Sequence, residues 1–259
     1  MRSPLSHKGD NGVVAVIGGS RHQHGAPLFS ALAAEASGVD LVYVWVPELH
    51  AEVAKNQSLN FQIHTFGSNR SDEIGPKDRA RLLEFLATID AAVIGPGLAR
   101  TPSGIRSIME LLQEAPCPVV ADASALQPAT LRALSGRNAI LTPHLGELER
   151  MNIDRNDLPA LASKHRCTIL LKGQIDTIIG ERKTVQEVRG GNAGLTVGGT
   201  GDALAGLIAG LIAQGMEHAE ACVTAGEAVK HAGDELHKTC GYRYTTKQVI
   251  ERLATQINL

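Results

Sequence analysis

The order of short apolar runs and helical stretches predicts an α/β fold, in which a mostly parallel central sheet is covered by helices on both faces as a three-layer arrangement. Three observations lead there. The runs at 13–17, 91–94, 118–121, 138–141 and 168–171 are almost wholly apolar, with only Asn138 and Thr168 polar at their starts, which is how strands buried on both faces read. Stretches with helical spacing separate these runs, as crossover connections between parallel strands require. The chain has 259 residues, 43% of them hydrophobic, and shows no shift of composition, so we expect a single domain over 1–259.

Taken in order, the first strand is 13–17, ending in Gly18-Gly19-Ser20. An alanine-rich helix over 26–37 is closed by Gly38, and a second strand over 39–46 is stopped by Pro47. Residues 67–77 read as an exposed loop. Leu82, Leu83 and Leu86 give helical spacing to 78–88. The strand at 91–94 runs into Gly95-Pro96-Gly97, a helix follows over 103–113, and the strand at 118–121 ends at Asp122. After the strand at 138–141, Thr142 is a natural helix cap with Pro143 in the first turn. The strand at 168–171 ends at Lys172-Gly173, and 175–179 with 183–188 form an antiparallel pair around Gly180. Helices over 202–214, 217–238 and 246–257 complete the chain.

Composition narrows the function. A formal net charge of −2, a pI near 6.6 and 3% aromatics give no footprint for nucleic acid or an anionic membrane. The four cysteines lack the spacing of a zinc site or a disulfide framework. Met1 to Gly12 does not read as a signal peptide, and the 203–213 apolar stretch is too short to span a bilayer. A soluble cytoplasmic protein is the expectation. The Gly206/Gly210 pair then serves close helix packing.

The most informative segment is Gly198-Gly199-Thr200-Gly201-Asp202, directly before a small-residue helix. Backbone without Cβ atoms approaches an anion closely, and a helix start offers unpaired N–H groups and a positive dipole end. Asp202 there can act as a base beside a phosphate, or be a plain N-cap. No GxGxxG or GxxxxGK[ST] pattern is present, which argues against dinucleotide dehydrogenases and P-loop enzymes. In parallel sheets ligands bind at the carboxyl ends of strands. Gly18-Gly19, Gly95-Pro96-Gly97, Asp122, His144 and Lys172-Gly173 all follow strands, so they share one edge with the Asp202 helix. Singly, each has a plainer use. Gly95–Gly97 can be a sharp turn, His144 a solvent-facing side chain, Glu147 a dipole partner and Lys172 a solvated strand end. Asp122 either caps a turn or orients another group, and Asp176 can simply begin the next strand.

Together the pieces resemble the NAD(P)H-hydrate dehydratase family, of ribokinase-like fold. They are His7-Lys8-Gly9, Val16 to Ser20, Gly25-Ala26-Pro27, Gly95 to Leu98, Thr142-Pro143-His144 with Gly146-Glu147, Leu171-Lys172-Gly173, Gly191 to Gly194 and Gly198 to Asp202. The resemblance implies repair of hydrated NADH or NADPH, with ADP or ATP as co-substrate and Mg²⁺. By residue, it implies that Ala26, Gly97, His144 and Asp202 contact the hydrated nucleotide. It places Lys172, Gly173, Gln174, Ile175 and Asp176, with the Gly198, Gly199, Thr200 and Gly201 loop, around the adenine nucleotide, and makes Asp202 the catalytic base. No protein metal ligands are assigned. The chain departs from the usual pattern at Ala193, where proline is common, and at Gln174-Ile175-Asp176, where small residues are usual. The resemblance further implies a homo-oligomer, dimer or tetramer, and an epimerase on a separate chain, since no epimerase domain precedes the first strand. A small-molecule kinase of the same fold is the alternative, distinguished by a stable phosphorylated product; related thiazole kinases carry Cys at the position of Asp202. A non-catalytic nucleotide sensor is a third, distinguished by indifference of turnover to Asp202→Asn.

Overall fold

The computed structural model describes residues 4–68 and 71–257. Nine strands form one sheet, in the order β3-β2-β1-β4-β5-β6-β7-β8-β9. They are β1 (Val13–Ile17), β2 (Leu41–Pro47), β3 (Phe61–Phe66), β4 (Ala91–Ile94), β5 (Val119–Ala121), β6 (Ala139–Leu141), β7 (Thr168–Leu171), β8 (Asp176–Ile179) and β9 (Val185–Val188). The first seven pair in parallel, and β8 and β9 add an antiparallel hairpin at one edge. The helices are α1 (Gly25–Ala36), α2 (Ala51–Lys55), α3 (Pro76–Leu86), α4 (Pro102–Glu114), α5 (Thr130–Ala133), α6 (Leu145–Arg150), α7 (Leu158–His165), α8 (Thr200–Ala213), α9 (His218–Cys240) and α10 (Thr246–Gln256).

The pleat explains the apolar runs. Val14 and Val16 face one core with α1, α8, α9 and α10, while Ala15 and Ile17 face a second core with α3, α4, α6 and α7. Both faces of β1 are dry, so the run carries no polar alternation. The glycines of α8 act as expected. A Cβ on Gly206 would overlap the carbonyl oxygen of Ser30, and one on Gly210 would overlap Ser37 Oγ, so α8 and α1 pack backbone to backbone. The four cysteines are free, and burial pushes the Cys117 and Cys167 thiols up to about 12.

The strand order reverses between β1 and β4, each of which starts a connection in the opposite direction along the sheet. Such a switch point opens a crevice at the carboxyl ends. The loops after β1 and β4, which hold Gly18-Gly19 and Gly95–Gly97, flank it.

Several expectations need correction. β3 and α2 have no counterpart in the sequence reading. β3 is an edge strand buried only at its two ends, Phe61 and Phe66, and its polar residues break the continuous apolar signal that marked the central strands. In the 67–77 segment, residues 69 and 70 lie outside the described residues. Ile74 is buried, and Pro76 and Lys77 already belong to α3, so the exposed-loop reading holds only in part. Thr142 is not a helix cap. The chain stays extended, as the residue before proline favours, and His144 makes a further parallel bridge to Lys172. His144 itself is the cap of α6. Its Nδ1 accepts from Glu147 N at 3.2 Å, and Glu147 Oε2 accepts from His144 N at 2.9 Å. Asp202 is not a cap either: Gly199, at φ +99°, is the residue before α8, and Asp202 lies in the first turn.

Candidate active site

The carboxyl ends of β5, β6 and β7 bring together three side chains that are far apart in sequence. Asp122 Oδ1 accepts from Thr142 Oγ1 at 2.7 Å and from Lys172 Nζ at 2.7 Å. Glu147 Oε2 stands 3.6 Å from the same ammonium. Asp122 and Glu147 are almost fully enclosed, and the Lys172 side chain is 16% exposed. Parallel register fixes this arrangement: Asp122 and Thr142 follow the paired Ala121 and Leu141, and Lys172 is bridged to His144 just beyond β6. The open choice for Asp122 is thereby resolved: its side chain makes no cap and orients the lysine.

This cluster lies under the first turn of α8. A Cβ on Gly201 would stand 3.2 Å from Lys172 Nζ, so the absence of a side chain there lets the ammonium reach the helix start. Burial raises the Asp202 carboxyl to about 7; the negative charges of Asp122 and Glu147 push the same way and Lys172 opposes them. Burial works against the charged form of Lys172, but the carboxylates of Asp122 and Glu147, the Asp122 hydrogen bond and Asp202 outweigh it and raise its pKa. The result is a permanently cationic lysine beside a carboxyl that exchanges its proton near neutrality. That is the charge state a general base requires at working pH.

The glycine loop is anchored from outside. Phe29 of α1 occupies the space a side chain on Gly199 would take, and Thr246 Oγ1 donates to Gly198 O at 2.8 Å. Ser30 Oγ, one turn after Ala26, donates to Asp202 O at 2.8 Å. Hence α1 links Ala26 to Asp202. Gly97, at φ +69°, leaves a Cβ position only 3.3 Å from Ala26 Cβ, so these two sequence-predicted residues are neighbours beside the β1–β4 crevice.

A cleft of about 720 Å³ opens on the other side of α8. Lys172, Gly173, Gln174, Thr200 and Gly201 line it, with His144 at one side and the 190–197 loop opposite. Of the expected nucleotide residues, Ile175, Asp176, Gly198 and Gly199 do not form its wall. Asp176 is buried and turned toward Lys230, with Oδ2 3.3 Å from Nζ. Sequence reasoning left out Glu147 as a site residue, left Asp122 open, and missed Asn192, Lys230 and Asp234 as side chains around the cleft. Asn192 and Asp234 had no spacing signal, since they meet only through the packing of α9 on the loop. A second groove, of about 770 Å³, lies at the amino ends of the strands near Asn138, Thr168 and Gly180, away from all these groups.

Among the described residues no group of three or more His, Cys, Asp or Glu side chains is arranged to hold a metal ion, and no helix is long and apolar enough to cross a membrane.

A switch-point crevice, an anion-binding helix start and a tuned carboxyl at one sheet edge define an α/β enzyme of ribokinase-like architecture. The structure superposes on a ribokinase-like superfamily protein from Enterococcus faecalis V583 with a TM-score of 0.84 at 26% identity, covering 98% of this chain and 89% of that one. It also superposes on the ADP/ATP-dependent NAD(P)H-hydrate dehydratase from Bacillus subtilis co-crystallized with ATP/Mg²⁺, with a TM-score of 0.82 at 25% identity over 99% of this chain and 92% of that one. The NAD(P)H-hydrate dehydratase family model matches residues 14–255, and the chain belongs to that family. A curated relative from Cenarchaeum symbiosum, the ADP-dependent (S)-NAD(P)H-hydrate dehydratase, is 35% identical over 96% of this chain and 89% of its own length. The bifunctional NAD(P)H-hydrate repair enzyme of Methanothermobacter thermautotrophicus is 34% identical, and the chain spans 51% of its length.

Proposed function

We propose that this protein dehydrates the (S)-hydrate of NADH or NADPH at the expense of ADP or ATP, restoring the reduced dinucleotide and releasing phosphate with AMP or ADP. The observation that carries the reading is Asp202, a carboxyl raised to about 7, set over Lys172 at an anion-binding helix start. Family membership and the names of the relatives support the substrate.

In this reading the hydrated dinucleotide lies in the crevice at Ala26 and Gly97 and reaches Asp202, with His144 beside it. The adenine nucleotide occupies the cleft walled by Lys172, Gly173, Gln174, Thr200 and Gly201. Asp202 accepts the proton of the hydroxyl on the reduced ring, and that oxygen attacks the terminal phosphoryl group. Backbone N–H groups at the start of α8, and the Lys172 ammonium, meet the charge that develops on the phosphoryl oxygens. The P–O bond to the nucleotide breaks and AMP or ADP leaves. Phosphate then departs from the ring carbon with the C–O electron pair, the neighbouring carbon gives up a proton, and the ring double bond reforms. Phosphorylation thus replaces hydroxide, a poor leaving group, with phosphate.

The donor set fits Mg²⁺ held on nucleotide phosphates through water rather than in an all-protein cage. Bound in that way the ion would neutralise phosphate charge, and the carboxylates of Glu147 and Asp122 would be the acceptors for its waters. The family resemblance also supports a cytoplasmic homo-oligomer of two or four chains, which light scattering on the purified protein checks.

The deciding experiment incubates the protein with hydrated NADH, Mg²⁺ and either ADP or ATP. Return of the reduced-nicotinamide absorbance with release of inorganic phosphate is expected. No return with either nucleotide sinks the reading, and a stable phosphorylated product in its place makes the protein a kinase.

A further inference from the structure

Lys230 and Asp234 lie one helical turn apart on α9 and so share a face. Lys230 is buried. It donates to the carbonyl oxygens of Gly173 at 3.2 Å and Gln174 at 2.9 Å, and its ammonium pairs with Asp176 Oδ2 at 3.3 Å. Two of the three N–H donors of the ammonium are thus spent on the 173–174 backbone, and the side chain forms part of the cleft wall. The other oxygen of Asp176 accepts from Gly173 N at 2.8 Å. The turn between β7 and β8 is therefore held through its own backbone.

Asp234 holds the opposite wall. Its Oδ2 accepts from Gly191 N at 2.9 Å and its Oδ1 from Asn192 Nδ2 at 3.1 Å. Asn192 Oδ1 accepts in turn from Gly194 N at 3.0 Å and from the Tyr244 hydroxyl at 2.6 Å. The two walls also share one post, since a Cβ on Gly191 would stand 3.1 Å from Lys230 Cγ.

We infer that Lys230 and Asp234 are positioning residues that set the width of the nucleotide cleft, holding the 173–174 turn and the 190–194 loop at a fixed separation. Neither touches the reacting phosphates. The inference rests on the reading of this cleft as the nucleotide site. It explains why Asp176, expected at the nucleotide, is turned away from it: the carboxylate neutralises the lysine that carries the turn.

The test titrates ADP and adenosine calorimetrically into the wild type and into Lys230→Met, Lys230→Arg and Asp234→Asn, with circular dichroism to establish folding and steady-state kinetics alongside. For Lys230→Met we expect affinity for both ligands to fall about tenfold, because a displaced wall misplaces the whole nucleotide, with KM for ADP rising in step and kcat changing less than about twofold. Lys230→Arg recovers part of the loss, and Asp234→Asn weakens both ligands about threefold. A folded Lys230→Met that binds ADP as the wild type does overturns the inference. So does a loss confined to ADP with adenosine unaffected, which would mean that the lysine contacts phosphate directly. Should Lys230→Met fail to fold, Asp234→Asn decides by the same readings. A wild type that binds no adenine nucleotide overturns the function reading and this inference together, whereas equal binding by wild type and folded variants overturns the inference alone.

Discussion

Lys172 and Lys230 are both paired with enclosed carboxylates, and both reach the same cleft, yet the surroundings give them different work. The Lys172 ammonium has one close hydrogen bond, to Asp122, and a longer approach to Glu147, and it lies open toward Gly201. The Lys230 ammonium donates to two backbone carbonyls and pairs with Asp176. A lysine with a single hydrogen bond keeps more donor capacity for a transferring phosphoryl group, while one tied to two carbonyls and a carboxylate chiefly holds its partners in place. The carboxylates differ likewise. Those near Lys172 add to the burial that raises the Asp202 carboxyl to about 7, while Asp176 and Asp234 bind backbone and amide groups of the cleft walls. One side of the cleft is built for proton and charge traffic, the other for geometry.

The largest expected effect on this contrast comes from Asp202→Asn, which should cut kcat about 10³-fold while ADP still binds by calorimetry. Unchanged turnover would remove Asp202 from its role. Lys172→Met comes next, with kcat about 10²-fold lower; a change confined to KM for ADP would make the two lysines alike and erase the comparison.

The pH profile sharpens it further. Activity needs Asp202 as the carboxylate, so kcat/KM of the wild type rises with pH through about 7. Asp122→Asn removes a negative neighbour and should shift that limb to lower pH, whereas Asp234→Asn should leave it in place. Equal shifts in both variants would show that the two sides are not electrostatically separate.

Stability provides a smaller effect. The Asp202 carboxyl lies above its unfolded value of 3.8, so the folded chain holds a proton that the unfolded chain releases. That contribution is complete below about 3.8 and is lost as pH rises through about 7. Asp202→Asn should therefore stabilise the protein more at pH 8 than at pH 5, by on the order of 2 kcal/mol, read from thermal unfolding at both values. The smallest effect expected is that of Tyr244→Phe. It removes one hydrogen bond to Asn192 and should cost about 1 kcal/mol of stability with catalysis intact.

Legibility in the sequence followed the strength of each physical signal. β1, β4 and β7 coincide with their apolar runs, because a strand buried on both faces is filled almost wholly by apolar residues. β3, half-exposed at the edge, left a weaker pattern and escaped. The Gly198–Asp202 loop could be read because a backbone that approaches an anion needs glycine. The Asp122–Thr142–Lys172 contact could not, since those residues come from three strands and meet only through sheet register. His144 replaced Thr142 as a cap because the extra bridge to Lys172 keeps the chain extended beyond β6.

The sequence by itself determined the layered α/β architecture, the glycine loop before α8 and the family, since each rests on local residue patterns or on motifs in fixed order. Only the tertiary structure decided which lysine lies at the start of α8 and which braces the 173–174 turn. That choice depends on the partners each ammonium meets, Gly173, Gln174 and Asp176 for Lys230 and Asp122 for Lys172, which lie about fifty residues or more away in the chain.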